Sequence, residues 1–146
     1  MSNSLYPLWK EALITESATN KSLDQTSATN APYAALVAIG GANYNYSASH
    51  QFYSTVQPFV QGTPKQLTTP VVSNGVFKAD IVTFTSVTGA AVGAIVIYRQ
   101  NSGANTTWRL IAYLDSSAIP SLPITPAGGD ITIAWNALGI FKLGSS

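Results

Sequence analysis

His50 is the only imidazole in the chain, and it lies in the run NYNYSASHQFYS, where Tyr and Ser hydroxyls stand ready to hydrogen-bond its ring. Nucleophilic catalysis by a Ser–His pair needs a third group to orient the base. No Asp or Glu falls between Gln25 and Pro64, and no nucleophile-elbow sequence is present. His50 therefore reads as a polar or packing side chain rather than a general base. The carboxylates offer no better pair for glycoside chemistry. Glu11 and Glu16 are five apart on a predicted helix and point in different directions, while Asp80, Asp115 and Asp130 belong to separate predicted strands. Asp115 precedes Ser116-Ser117 and Asp130 follows Gly128-Gly129, positions where Asp accepts turn amides. Oxygen ligands are not clustered as in a calcium loop, so no metal-binding residue is expected. None of the glycines at 40–41, 89, 93 and 128–129 is followed by Lys-Ser or Lys-Thr, as a phosphate-cradling loop requires. The absence of Cys removes disulfides, thiolate zinc sites and thiol nucleophiles together. The expectation is a protein without catalytic residues or cofactor, not an enzyme.

Recognition is the chemistry left. Arg99 and Arg109 flank one predicted hairpin loop, where they either meet an acidic partner or stand as solvated charges at strand ends; a surface pair alone favours the second. The aromatic set Tyr33, Tyr44, Tyr46, Phe52, Tyr53 and Phe59 says more. It holds six of the 15 aromatic residues and lies within 25–64, a stretch with no Lys, Arg, Asp or Glu. Rings without charges are the composition of an interface core. Packing inside the domain's own core is the competing use, and stacking on a sugar is a third. Stacking on single-stranded bases would require an interleaved basic groove.

These residues need elements to position them. Leu5, Leu8, Trp9, Ala12 and Leu13 recur at helical spacing, which predicts one helix from Leu5 to near Glu16, capped by Ser4 and tolerating Pro7 in its first turn. Residues 17–31, rich in Ser, Thr and Asn, read as a linker. The helix (1–16) is then an arm, expected to bury Leu5, Leu8, Trp9 and Leu13 on a neighbouring subunit. From Pro32 onward, β-branched and aromatic runs alternate with Gly, Pro and Asn clusters, which predicts strands at 33–39, 66–72, 76–87, 94–99, 108–115, 130–135 and 140–143. A further helical turn is expected within 49–59. Strict alternation puts Leu110, Ala112, Leu114, Ile131, Ile133 and Trp135 in the core. The turn-rich segment 100–107 joins two strands as neighbours in a meander. Seven short strands without interleaved helices argue for an all-β domain over 32–146, an antiparallel β-sandwich or barrel.

Composition bounds the class. Only 9% of the 146 residues are charged and the net charge is +1, which excludes a phosphate-coating protein and leaves no nucleic acid expected as partner. Ser, Thr, Asn and Gln supply 46 residues, so uncharged groups do the polar work in a chain too apolar for disorder. Residues 81–98 carry no charge over 18 positions, but Thr83, Thr85, Ser86 and the Thr88-Gly89 turn split them into strand-length pieces, so no membrane span is expected. The first 17 residues lack a basic segment followed by an unbroken apolar one, which predicts no signal peptide.

Read in order, GVFKADIVTFTSVTG, AIVIYRQ, WRLIAYLD, LPITPAGGDITIAW and GIFKL resemble small β-rich structural proteins of tailed bacteriophages, as does a leading helix like LYPLWKEALI. The resemblance covers 75–143 and is most distinctive over 122–135; 25–64 departs from it. It implies a virion component without enzymatic activity, of the capsid cement or decoration kind. The implied fold is a jelly-roll-like sandwich, and the implied partners are the major capsid protein and other copies of the same chain. Its place would be the capsid surface, after assembly in the host cytoplasm. A tail-associated module that recognises carbohydrate through the Tyr-rich segment is the alternative.

Overall fold

The computed structural model describes residues 3–15, 23, 26, 27 and 29–142, with backbone alone for 3, 4 and 12–15. The helix end expected at Glu16, most of the 17–31 linker, the Ala12 and Leu13 side chains and Leu143 lie outside the described residues.

The chain is built mainly of antiparallel strands with one short α-helix. Its largest sheet is organised around β2 (Ala31–Val37), β7 (Ala94–Gln100) and β8 (Arg109–Leu114), flanked by β1 (Asn3–Leu5) and β3 (Val60–Gln66) in the order β1-β8-β7-β2-β3. A second sheet sets β10 (Phe141–Lys142) and β4 (Val71–Ser73) on either side of β5 (Val76–Lys78), and a third pairs β6 (Val82–Phe84) with β9 (Ile131–Ile133). The β7–β8 meander expected across 100–107 is present.

The small sheets obey the period-2 pattern: Val82, Phe84, Ile131 and Ile133 are buried, while Thr83 and Thr132 face solvent with their hydroxyls 3.0 Å apart. The large sheet does not, because β2, β7 and β8 are buried on both faces. One face carries Ile95, Ile97 and Ala112, which join Phe77, Phe84, Ile133 and Phe141 of the small sheets in a single buried cluster. The other carries small side chains, Ala35, Ala94 and Val96, beside Tyr33, Tyr98 and Tyr113, and the 39–59 segment lies over it. The expected core residues Leu110, Ala112, Leu114, Ile131 and Ile133 are buried, whereas Trp135 is half-buried.

Four expectations are corrected. Residues 3–5 form an edge strand rather than a helix start: their register runs Asn3 to Leu114, Ser4 to Tyr113 and Leu5 to Ala112, and the Tyr6 amide donates to the Ile111 carbonyl at 2.9 Å. The helix α1 begins at Pro7 and runs over Pro7–Thr15. Proline suits that position because a first-turn amide has no acceptor within the helix. The arm does not reach away, since Tyr6 (0% exposed) and Trp9 (1%) are buried in their own chain and Trp9 meets the edge of Phe141 at 5.9 Å. The run expected as one strand over 76–87 breaks into β5 and β6 around Asp80. Arg99 and Arg109, expected as solvated ends, are cross-strand neighbours and buried; Arg109 lies over the Phe52 ring, 4.9 Å from its centroid.

Candidate functional site

Two places concentrate chemistry, the aromatic segment over the large sheet and an exposed apolar platform on the small one.

The 39–59 segment is pinned at both ends. Backbone bonds run from the Ala38 amide to Phe59 and from the Tyr44 amide to Ala38, and Gln51–Tyr53 bonds to the start of β8 through Tyr53 to Trp108 and Leu110 to Gln51. Two 3₁₀ turns, Tyr53–Thr55 and Gln57–Phe59, supply the expected helical turn. Its rings fall into two groups. Tyr53 stacks on Tyr98 at 4.0 Å, with Trp108 and Tyr33 further along the stack at 5.8 and 5.7 Å from Tyr98. Tyr44 and Tyr46 both meet Tyr113, at 6.2 and 5.3 Å, and Tyr46 meets Tyr6 at 5.2 Å.

Of the expected interface residues, Trp9, Tyr44 and Tyr53 are buried in the chain itself, and Leu5, Leu8, Tyr33, Tyr46, Phe52 and Phe59 are half-buried. The segment is thus a lid for the second face of the sheet. An uncharged, ring-rich composition serves a core and an interface equally, so only the presence of an uncovered sheet face decides between them.

Within this lid three polar groups form a chain. The hydroxyls of Tyr6 and Tyr44 are 2.8 Å apart, and Tyr44 Oη is 2.8 Å from His50 Nδ1. The direction of the protons follows from burial. If Tyr6 donates to Tyr44 and Tyr44 to Nδ1, only the Nε2 proton needs a further acceptor, and half-exposed His50 finds water. The reverse order would leave the Tyr6 hydroxyl proton buried without an acceptor. Burial holds His50 below the usual imidazole range, consistent with a neutral ring that accepts at Nδ1. Burial also pushes Tyr44 up to about 12 and Tyr6 higher still, so both phenols stay protonated at neutral pH. The arrangement ties the β1–α1 junction, the 40–50 loop and β8 together.

The carboxylates take the turn roles expected of them: Asp115 Oδ1 accepts from the Ser117 amide at 3.0 Å and Asp130 Oδ1 from the Ser86 amide at 3.1 Å. Among the described residues no three His, Cys, Asp or Glu side chains cluster as a metal site would require, and no helix is long and apolar enough to cross a membrane.

The platform was not legible as a motif. Val71 (46% exposed), Val72 (50%), Ile81 (61%) and Leu138 (84%) are the large hydrophobic side chains that stay in water, and they gather around β4 and β5. Asn74-Gly75 makes the tight β4–β5 turn with φ of 52° and 77°, values that Asn and Gly tolerate best. Alternation along this hairpin sends Phe77 inward and leaves Val71, Ser73, Val76 and Lys78 outward. Leu138 is held beside them by a turn in which the Gly139 amide donates to the Asn136 carbonyl and the Leu138 amide to Asn136 Oδ1, at 2.9 and 2.8 Å. Gly139 (φ 118°) passes so close to β5 that a Cβ there would lie 2.4 Å from Val76 Cγ1. Trp135 Nε1 donates to the Asp80 carbonyl at 2.9 Å, which fixes the stem of this turn next to Ile81. The chemical capacity of the site is therefore adhesive: a rigid apolar surface with Lys78 and Lys142 at its margin.

No protein-family model matches the chain, and comparison with curated proteins finds no similar one.

Proposed function

We propose that the chain is a structural component of a tailed-phage virion, a capsid cement or decoration protein that stabilises the head by binding the major capsid protein and other copies of itself. The observation that carries this reading is the platform. Four large hydrophobic side chains held in water on hydrogen-bonded turns mark a surface made for protein contact. Much of it, Val76 and Lys78 with Gly139 to Lys142, comes from the 75–143 stretch that carries the resemblance to phage structural proteins. A jelly-roll-like sandwich is the corresponding fold, with the large sheet on one side of the buried cluster and the two small sheets on the other. Tail-bound carbohydrate recognition has a narrower basis, the half-exposed Tyr33 and Trp108 rings of the Tyr98 stack. Electron cryo-microscopy of particles carrying the labelled chain separates the two. Hundreds of copies arrayed over the shell are expected; a few copies at one tail vertex would replace the cement reading with the second.

A further inference from the structure

We infer that the platform receives a protein partner whose contact surface presents an apolar side chain framed by carboxylates. The inference rests on the reading of the chain as a docking component and names the chemistry of what docks. Three adjoining hollows open on the platform, of about 420, 220 and 330 Å³. Leu138 stands between the first and third, and Trp135 and Ile140 are shared by the first and second. The walls are apolar, and among the described residues the ionisable groups in them are Lys78 and Lys142 alone. The nearby Asp80 carboxylate is engaged elsewhere, accepting from Thr69 Oγ1 at 2.8 Å.

Charge then selects the occupant. An apolar centre with a cationic margin is complementary to an apolar projection with an anionic one, and juxtaposed like charges are disfavoured as an interface dries. A second copy docking face to face through the same platform would bring Lys78 and Lys142 against their own counterparts. The surface is also prepared for binding before any partner arrives. The Asn136 turn, the Trp135 to Asp80 bond and the close passage of Gly139 over Val76 fix Leu138 and Ile81 in place, so little order remains to be gained on contact.

The test uses the full chain and two synthetic peptides of equal length and leucine content, one with Asp and Glu flanking the leucines and one with Lys. Fluorescence anisotropy should show the acidic peptide binding about tenfold or more tightly than the basic one, a difference in Kd read directly. The double variant Leu138→Ser, Ile81→Ser should lose at least about tenfold in affinity for the acidic peptide with an unchanged unfolding curve, because both side chains lie largely in water. The charge-reversed variant Lys78→Glu, Lys142→Glu should prefer the basic peptide. Equal binding of both peptides, no binding of either, or a preference unmoved by charge reversal would overturn the inference. So would sedimentation showing a wild-type dimer that Leu138→Ser dissolves, which would assign the platform to a second copy. Decoration of particles by the Leu138→Ser, Ile81→Ser variant at wild-type affinity would sink the platform and leave the virion reading standing. Failure of the wild-type chain to bind particles would sink the virion reading alone.

Discussion

Removing the Tyr44 hydroxyl should cost more than removing that of Tyr6, although each change deletes one oxygen from the same chain of bonds. In Tyr6→Phe, Tyr44 keeps His50 as acceptor, and the loss is one hydrogen bond, about 0.5–1.5 kcal/mol. In Tyr44→Phe the Tyr6 hydroxyl, on a fully buried residue, has no acceptor left, and stranding such a donor costs about 1–3 kcal/mol. The lost bond to half-exposed His50 adds little because water replaces Tyr44 there. The expected cost of Tyr44→Phe is therefore about 2–3 kcal/mol. Since Phe keeps the ring, the packing of Tyr44 against Tyr113 and Phe59 is preserved. The double variant no longer strands a hydroxyl and should be destabilised by about 1–2 kcal/mol, less than the sum of the singles, a coupling of about 1 kcal/mol or more. Urea titration followed by tryptophan fluorescence measures all three, and Tm should fall by roughly 2–4 °C per kcal/mol for a chain of this size. Costs that add to within about 0.3 kcal/mol, or a Tyr44→Phe no worse than Tyr6→Phe, would refute the reasoning.

The same chain sets a pH dependence. The His50 pKa is depressed on folding, so its contribution is fully present above the unfolded value near 6.5 and is lost as pH falls through the native value; His50→Gln should flatten that decline in urea midpoints measured between pH 7.5 and 5. Ile133→Ala should cost about 2–5 kcal/mol in denaturant titration, because Ile133 is fully buried between the sheets, and a neutral result would remove β9 from the core. Trp9→Ala should cost about 3–5 kcal/mol, and deletion of residues 1–16 should destabilise the monomer by circular dichroism, since β1 and Trp9 belong to its own sheet and core; a truncated chain as stable as the whole would restore the reaching arm.

Sequence alone determined what depends on local pattern and inventory. Alternation at Ile131 to Ile133 and at Leu110 to Leu114 located buried strands, because a two-residue period puts one set of side chains on one face whatever lies opposite. Turn chemistry assigned Asp115 and the 100–107 meander, since those bonds close within a few residues. What the pattern could not carry was decided by partners distant in sequence. Residues 3–5 became a strand because the β8 edge offered carbonyls and amides that no neighbouring residue could, and Val60–Gln66 pairs with β2 despite Gly62 and Pro64, as an edge strand allows. The Tyr-rich segment carried the composition of an interface, and only the second open face of the large sheet turned it into a lid. The converse holds at Val71, Ile81 and Leu138: three hydrophobic residues far apart in the chain look like core, and their meeting in solvent arises from the two turns and the glycine approach that the tertiary structure brings together.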